Sequence, residues 1–585
     1  MNYKMMGRFM ARIVLIEAVF LLPAMLISFG YGELGAVRGF LYSFAIMLAV
    51  AGALGFWGRG ADSVFGAREG LVCVGLAWIV ISILGSLPFF ISREIPSFID
   101  ALFETVSGFT TTGSSILTDV EAMSKGMLYW RSFSHWVGGM GVLVFVLAVS
   151  PGEGGKGFTM HLLRAESPGP DVGKLVPKMK QTASILYIIY IVLTILNLIF
   201  LLIGGMPWLE ALCTAFGTAG TGGFGVKNDS IAGYSPYLQN VTTVFMFLFG
   251  VNFSCYYLLL MKNFRSVFQD EELRFYVGTA VAVAALIAFD IRPLYATWEE
   301  TIRHSAFQVS TIMTTTGFAT TDFDLWPTFS RSLLLFLMVI GASAGSTGGG
   351  FKCARVMLIL KSLRRNIRKV LNPRKVQVVR VNGRVVDETV LDNANAYLAA
   401  YVVIIIVAFL VISLDGFSVE TNLSATLACF NNIGPGLDAV GPTCNYSAYS
   451  DLSKVVLSVA MLAGRLEIFP ILVLFAGSTW KRKKKTKLAL RTSDRCHWCG
   501  NLPKRQGIPT PVCALARNDS VFLYSVQSLA VFHGDPVNFL QRKTPDLGQL
   551  LGHVTQIAGI VPLAPVGDGG HVGTVGLQHD PLQGN

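Results

Sequence analysis

Apolar residues in this chain run in long, almost unbroken blocks, and polar residues are confined to the gaps between them. Phe9–Gly30, Gly39–Gly58, Gly70–Ser92, Ser184–Gly205, Thr243–Met261, Tyr397–Gly416 and Val455–Gly477 are the clearest of these blocks. About 20 apolar residues suffice to cross the hydrocarbon core of a bilayer as a helix. Helices and closed barrels are the forms that satisfy every backbone polar group there. The blocks therefore predict a polytopic, all-α integral membrane protein. The first block follows Lys4 and Arg8, as the apolar part of a signal peptide would. It is too long for that role, carries Glu17 and Pro23, and lacks a small-residue cleavage pattern, so it reads as a span.

Polar stretches of one type recur between the blocks. "FETVSGFTTTGSS" (Phe103–Ser115) aligns without gaps on "LCTAFGTAGTGGF" (Leu212–Phe224), on "FQVSTIMTTTGFA" (Phe307–Ala319) and, more loosely, on "SATLACFNNIGPG" (Ser424–Gly436). In this register Gly113, Gly222, Gly317 and Gly434 coincide. So do the residues before them: Thr110, Thr111 and Thr112; Ala219, Gly220 and Thr221; Thr314, Thr315 and Thr316; Asn431, Asn432 and Ile433. Each copy ends a short segment beginning near Pro96, Pro207, Trp298 or Val419, with acid in its first turns at Asp100, Glu210, Glu299 and Glu300, or Glu420. Such a beginning followed by a glycine stop encodes a short helix, and one of about ten residues cannot span. The repeating unit is thus span, half-helix, extended polar strand, span. Four units imply a pseudo-fourfold assembly around an axis.

The physics of that unit points to a cation. Non-helical backbone at membrane depth is tolerated where it lines a water-filled cavity or is buried in protein. Half-helices converging by their C-terminal ends present partial negative charge. Extended Thr-Gly strands can offer rings of carbonyl oxygens in place of an ion's hydration shell, and glycine supplies the backbone angles that side chains penalise.

Composition and charge sharpen this picture. Charged residues make up 14% of the 585 residues, against about a quarter in ordinary soluble domains, and the mean hydropathy is +0.55. The formal charge of +11 is concentrated in Lys156–Lys180, Lys262–Arg274, Lys352–Arg384 and Lys481–Lys487. The positive-inside rule puts these segments and the N-terminus in the cytoplasm, and beside spans they read as topology signals rather than as a nucleic-acid surface. Cysteines such as Cys73, Cys213, Cys255, Cys353 and Cys429 fall inside apolar runs, where they act as small hydrophobes.

Two polar intrusions stand inside apolar surroundings. "AGRLEIF" sets Arg465 and Glu467 within a span, where charge is expensive and faces a pore or a partner. "GASAGSTGGGFK" (Gly341–Lys352) is too rich in glycine for a straight helix. It lacks the Lys-Ser/Thr of a phosphate-binding loop.

Taken together these residues resemble the Trk/Ktr/HKT superfamily of potassium transporters, over roughly Met1 to Lys485. The two spans ahead of the first repeat match the TrkH type rather than the shorter KtrB type. The resemblance implies one K⁺ pathway per subunit, with Thr110–Gly113, Ala219–Gly222, Thr314–Gly317 and Asn431–Gly434 as filter. It implies preference for K⁺ over Na⁺, because Gly113 stands where Na⁺-favouring members carry serine. It makes Arg465 an electrostatic barrier below the filter and the loop with Gly345, Gly348, Gly349 and Gly350 a gate. Its expected setting is the bacterial inner membrane, as a homodimer docked on a cytoplasmic ring of nucleotide-binding regulatory subunits of the TrkA type. K⁺ enters as transported ion, with no covalent cofactor. A Na⁺-selective or ion-coupled relative is the alternative within transport. A membrane enzyme would need a Ser/His/Asp set at one depth, and His135 and His304 are scattered candidates.

The expected layout is two leading spans (1–66), pore repeats at 67–150, 181–262, 273–360 and 394–480, a basic cytoplasmic loop (361–393) and an atypical tail (486–585). The loop's "KSLRRNIRKVLNPRKVQVVRVNG" stretch predicts a helical part and a hairpin turn at Asn382-Gly383. The tail reads as mostly disordered. Its Cys496, Cys499 and Cys513 with His533 only loosely match a zinc site.

Overall fold

The computed structural model describes residues 2–60, 67–139, 141 and 179–480, which all belong to the unit Met1–Lys484. The end of the first repeat at 142–150, most of the basic run at 156–178 and the tail with Cys496, Cys499, Cys513 and His533 lie outside the described residues. Helices α1 (Tyr3–Gly30) and α2 (Leu34–Trp57) are the two leading spans and pack along each other. Helix α1 also packs against α3 (Ala67–Gly85) and α6 (Lys125–Gly139), and so joins the leading pair to the first repeat.

The chain makes the span, short helix, strand and onward helix four times. In the first copy α3 continues into α4 (Leu87–Ser92), followed by the short α5 (Phe98–Phe109) and α6. The second comprises α7 (Met179–Ile203), the short α8 (Trp208–Gly220), α9 (Pro236–Phe249) and α10 (Phe253–Leu260). After a brief α11 (Phe264–Phe268), the third comprises α12 (Glu271–Ile291), the short α13 (Trp298–Met313), α14 (Thr328–Ile340) and α15 (Cys353–Leu371). The fourth comprises α16 (Glu388–Ile412), the short α17 (Val419–Phe430), α18 (Asp451–Arg465) and α19 (Phe469–Phe475). Among the described residues six helices are long and apolar enough to cross a membrane, and α9 with α10 forms a further pair bent by 89°.

The short helices begin as their sequences predict. Ser97, Thr297 and Ser418 accept the N–H three residues on at 3.3, 3.2 and 3.1 Å. Asp100, Glu299 with Glu300, and Glu420 sit in the first turns, where carboxylates favour the positive helix end.

Two blocks expected as continuous spans are broken instead. Thr243–Met261 turns sharply at Gly250–Asn252, where the Asn252 side chain caps α10 by accepting from the Ser254 N–H at 2.9 Å. Val455–Gly477 stops at Arg465. Glu467 and Ile468 take left-handed angles (φ 59° and 65°), the Ile468 N–H closes on the Ala463 carbonyl at 2.7 Å, and Pro470 opens α19. A hydropathy run cannot reveal such breaks, because both sides remain apolar.

The basic loop between the third and fourth copies forms the expected hairpin. Strands β1 (Arg380–Val381) and β2 (Arg384–Val385) pair antiparallel around Asn382 and Gly383, at φ 49° and 76°. Asn382 ties it to α12, accepting from the Glu271 N–H and donating to Asp270, both at 2.9 Å.

The onward helices approach the short ones very closely, and glycine makes that possible. A Cβ on Gly138 of α6 would overlap the Phe109 carbonyl at the end of α5, and one on Gly464 of α18 would overlap the Phe430 carbonyl at the end of α17. Gly138→Ala and Gly464→Ala are each expected to cost roughly 1–3 kcal/mol by overpacking, read as a lower melting temperature in detergent. Gly52→Ala, with open space around it, serves as the unaffected control.

Candidate ion-conduction site

The four short helices end in one hydrogen-bonding pattern, which establishes how the copies correspond. The N–H groups of Thr112, Gly222, Thr316 and Ile433 reach back to the carbonyls of Ser107, Gly217, Thr311 and Ala428 at 2.8–2.9 Å. The residues just before them, Thr111, Thr221, Thr315 and Asn432, share φ of 56–58°, and the residues just after, Gly113, Gly223, Gly317 and Gly434, have φ of 75–102°. The second copy is therefore shifted by one from the gap-free alignment. Gly223, not Gly222, corresponds to Gly113, the strand is Gly220–Gly223, and Ala219 remains inside α8. The gap-free alignment pairs Thr221-Gly222 with Thr112-Gly113. The backbone instead counts from the helix-closing bonds, and the shared Gly-Phe of Gly223-Phe224 and Gly317-Phe318 is the sequence signal for that register.

In this register the strands touch in a closed cycle. A Cβ on Gly113 would overlap the Gly222 carbonyl oxygen, one on Gly223 that of Thr316, and one on Gly317 that of Ile433; on Gly434 it would lie 2.8 Å from that of Thr112. Each glycine thus faces the carbonyl that precedes its neighbour's glycine, from the first copy through the second, third and fourth and back to the first. Thr110–Thr112, Gly220 and Thr221, Thr314–Thr316 and Asn431–Ile433 are all buried.

Side chains brace these strands from behind. Thr110 and Thr314 donate to the carbonyls four residues back at 2.6 and 2.7 Å and pair with Thr112 and Thr316 at 2.8 and 2.7 Å. Asn431 makes the same backward bond with its amide, to the Leu427 carbonyl at 3.0 Å, while Asn432 donates to Thr112 Oγ1 at 2.9 Å and to the Met461 carbonyl at 3.0 Å. In the second copy the ring of His135 takes the space. Cβ atoms on Gly220 or Gly222 would overlap this histidine, and its ring stacks on Phe224 at 4.1 Å. His304 is engaged elsewhere, at 3.0 Å from Thr320 Oγ1.

The sequence reading missed a buried ion pair. Arg131 on α6 meets Glu104 on α5 at 2.5 Å, donates to the Gly225 carbonyl at 2.9 Å and covers the Phe224 ring at 3.6 Å. Glu104 also accepts from Ser115 Oγ and the Ile116 N–H at 3.0 Å each. One pair therefore holds the strands of the first two copies. In the loops beyond the strands, Ser418 and Thr421 donate to Asp438 at 2.6 and 2.5 Å and hold its carboxyl below the usual range. Burial, with Asp322 close by, pushes Asp324 up to about 6.

The glycine-rich loop between α14 and α15 packs directly against the strands. The Gly349 N–H donates to Thr315 Oγ1 at 2.6 Å, and Cβ atoms on Gly348 and Gly349 would press on the carbonyls of Thr314 and Asn431. The break between α9 and α10 receives it: Ser343 donates to the Gly250 carbonyl at 3.1 Å, Phe253 to Gly345 at 3.0 Å and the Thr347 hydroxyl to Phe249 at 3.2 Å. The Lys352 ammonium folds back on the Gly348 carbonyl. Arg465 donates to the carbonyls of Thr347 at 2.9 Å and Gly139 at 2.6 Å, and also to that of Gly138. It thus bridges this loop to the end of α6, while Glu467 pairs with Arg355 instead.

Known proteins resemble this chain over most of its length. The family model described as TrkH, cation transport protein, matches residues 38–482. The chain belongs to the TrkH family. Among curated relatives, the Trk system potassium uptake protein TrkH of Salmonella typhimurium is 33% identical over 479 residues, covering 80% of this chain and 97% of that protein. The Trk system potassium uptake protein TrkG of Escherichia coli is 31% identical over 476 residues, with the same coverage. The crystal structure of the potassium transporter TrkH from Vibrio parahaemolyticus superposes with a TM-score of 0.74 at 30% identity, covering 82% of this chain and all of that one. TrkH proteins are transporters, not enzymes, and this chain is a multi-pass membrane protein.

Within this TrkH-family fold, Glu104→Ala leaves the Arg131 guanidinium buried without its counter-charge. The expected cost is about 3–5 kcal/mol, read as loss of detergent-stable protein. Replacing both residues by methionine recovers part of it.

Proposed function

We propose that this chain takes up K⁺ across the bacterial inner membrane through the ring formed by its four strands. The observation that carries the reading is the closed cycle of glycine-to-carbonyl contacts, supported by relatives that are named Trk system potassium uptake proteins. Backbone oxygens on a pseudo-fourfold axis replace the hydration shell of a dehydrated cation, and the C-terminal ends of four short helices add favourable potential. The filter is Thr110–Gly113, Gly220–Gly223, Thr314–Gly317 and Asn431–Gly434. The glycine loop, pressed against two of these strands, is the gate. Arg465 locks it by binding Thr347 together with Gly138 and Gly139, and adds a positive barrier on the ion's path. Opening requires the loop to leave the Thr315 hydroxyl and the Arg465 guanidinium.

The basic face with the Asn382–Gly383 hairpin is cytoplasmic, as is the N-terminus. It carries the nucleotide-binding regulatory ring, and the functional unit is a homodimer. A Na⁺-selective or ion-coupled form of the same pathway is the alternative.

Rescue of a K⁺-uptake-deficient bacterium at low external K⁺ tests the reading. The intact chain is expected to restore growth, Gly113→Ser to shift preference toward Na⁺, and Arg465→Ala to raise leak with the loop weakly held. An intact chain that inserts well and does not rescue overturns K⁺ uptake. An unchanged ion preference in Gly113→Ser overturns the filter.

A further inference from the structure

The four quadrants of the ring are not equivalent. Among the described residues, the fourth-copy Gly434 is the ring glycine whose carbonyl is held by side-chain donors. The Tyr446 hydroxyl donates to it at 2.8 Å and the Ser114 hydroxyl at 3.1 Å. Its φ, 102°, exceeds the 75–88° of the other three, and its contact with the first strand is the open one, at 2.8 Å. The residue after it is Pro435, where the first three copies have Ser114, Phe224 and Phe318.

We infer that Tyr446 and Ser114 turn the Gly434 carbonyl out of the ion path, so that the glycine level of the filter offers three carbonyl oxygens instead of four. This rests on the filter reading above. A carbonyl oxygen has two lone pairs, and two hydroxyl donors occupy both. Tyr446 cannot easily drift from this position. It is buried, its N–H donates to the Ser115 carbonyl at 2.8 Å, and its ring lies 5.7 Å from that of Phe103 and 6.1 Å from that of Tyr449. An ion at this level completes its shell with water on the fourth side. Because discrimination follows the number and field of the coordinating carbonyls, Tyr446 and Ser114 are positioning residues that set how sharply K⁺ is preferred over Na⁺.

The test is Rb⁺ uptake by the full chain in cells lacking their own K⁺ uptake, with K⁺ and Na⁺ as competitors. Tyr446→Phe, Ser114→Ala and the double variant are compared with Gly113→Ser. Freeing the carbonyl is expected to lower the KM for Rb⁺ and to raise the K⁺-over-Na⁺ preference by roughly two- to tenfold for each hydroxyl removed. A preference that stays unchanged or falls, while Gly113→Ser still shifts it, overturns the inference and leaves the filter standing. If Gly113→Ser is also without effect, the filter reading falls and this inference falls with it. Should the double variant insert poorly, Tyr446→Phe decides alone, since it keeps the ring packing and the backbone bond to Ser115.

Discussion

Backbone polar groups buried among apolar helices must find partners within the protein, and this chain nevertheless leaves the helical path there repeatedly. Every departure needs a partner for the carbonyls and N–H groups it frees. The structure supplies those partners by gathering the departures. The break at Gly250–Asn252 bonds to the glycine loop at Ser343 and Gly345, the loop bonds to the third strand through Gly349 and Thr315, and Arg465, at the break in the fourth copy, caps carbonyls from both the loop and the end of α6. Each irregular piece is stable because the others lie beside it.

The four strands obey the same constraint at closer range. Three threonines and an asparagine sit at φ of 56–58°, a conformation that costs roughly 1–2 kcal/mol for a residue with a Cβ. That cost is offset by the N–H that closes on the helix five residues back and by hydroxyls bonded along the strand. Asparagine tolerates these angles better than threonine. The fourth copy can therefore depart in sequence from Thr-Thr-Thr and keep the same backbone, with Asn431 making the backward bond that Thr110 and Thr314 make and Asn432 donating instead to Thr112 and Met461.

Charge within the apolar body is used sparingly, and each of three ion pairs has a defined place. Arg131 with Glu104 holds the first two strands, Lys454 with Asp100 joins α18 to α5 at 2.6 Å, and Arg355 with Glu467 closes the break after α18. In a low dielectric such pairs contribute little net stability but are costly to split. They act as locators, which suits a structure whose central parts are loops and strands rather than continuous helices.

Much of this was legible in the order of residues. Apolar runs gave the spans, acid and glycine marked the ends of the four short helices, and the glycine-rich stretch announced its own interruption. These are local properties, set by how few consecutive residues can hide or expose their backbone. The register of the second strand, the breaks at Gly250 and Leu466 and the partners of Glu104 and Gly434 were not legible. They depend on groups far apart in sequence, 320 positions in the case of Ser114 and Gly434. Only the closing of the chain decides which carbonyl meets which donor, because backbone atoms look alike in every residue and acquire their distinctions from what the tertiary structure sets against them.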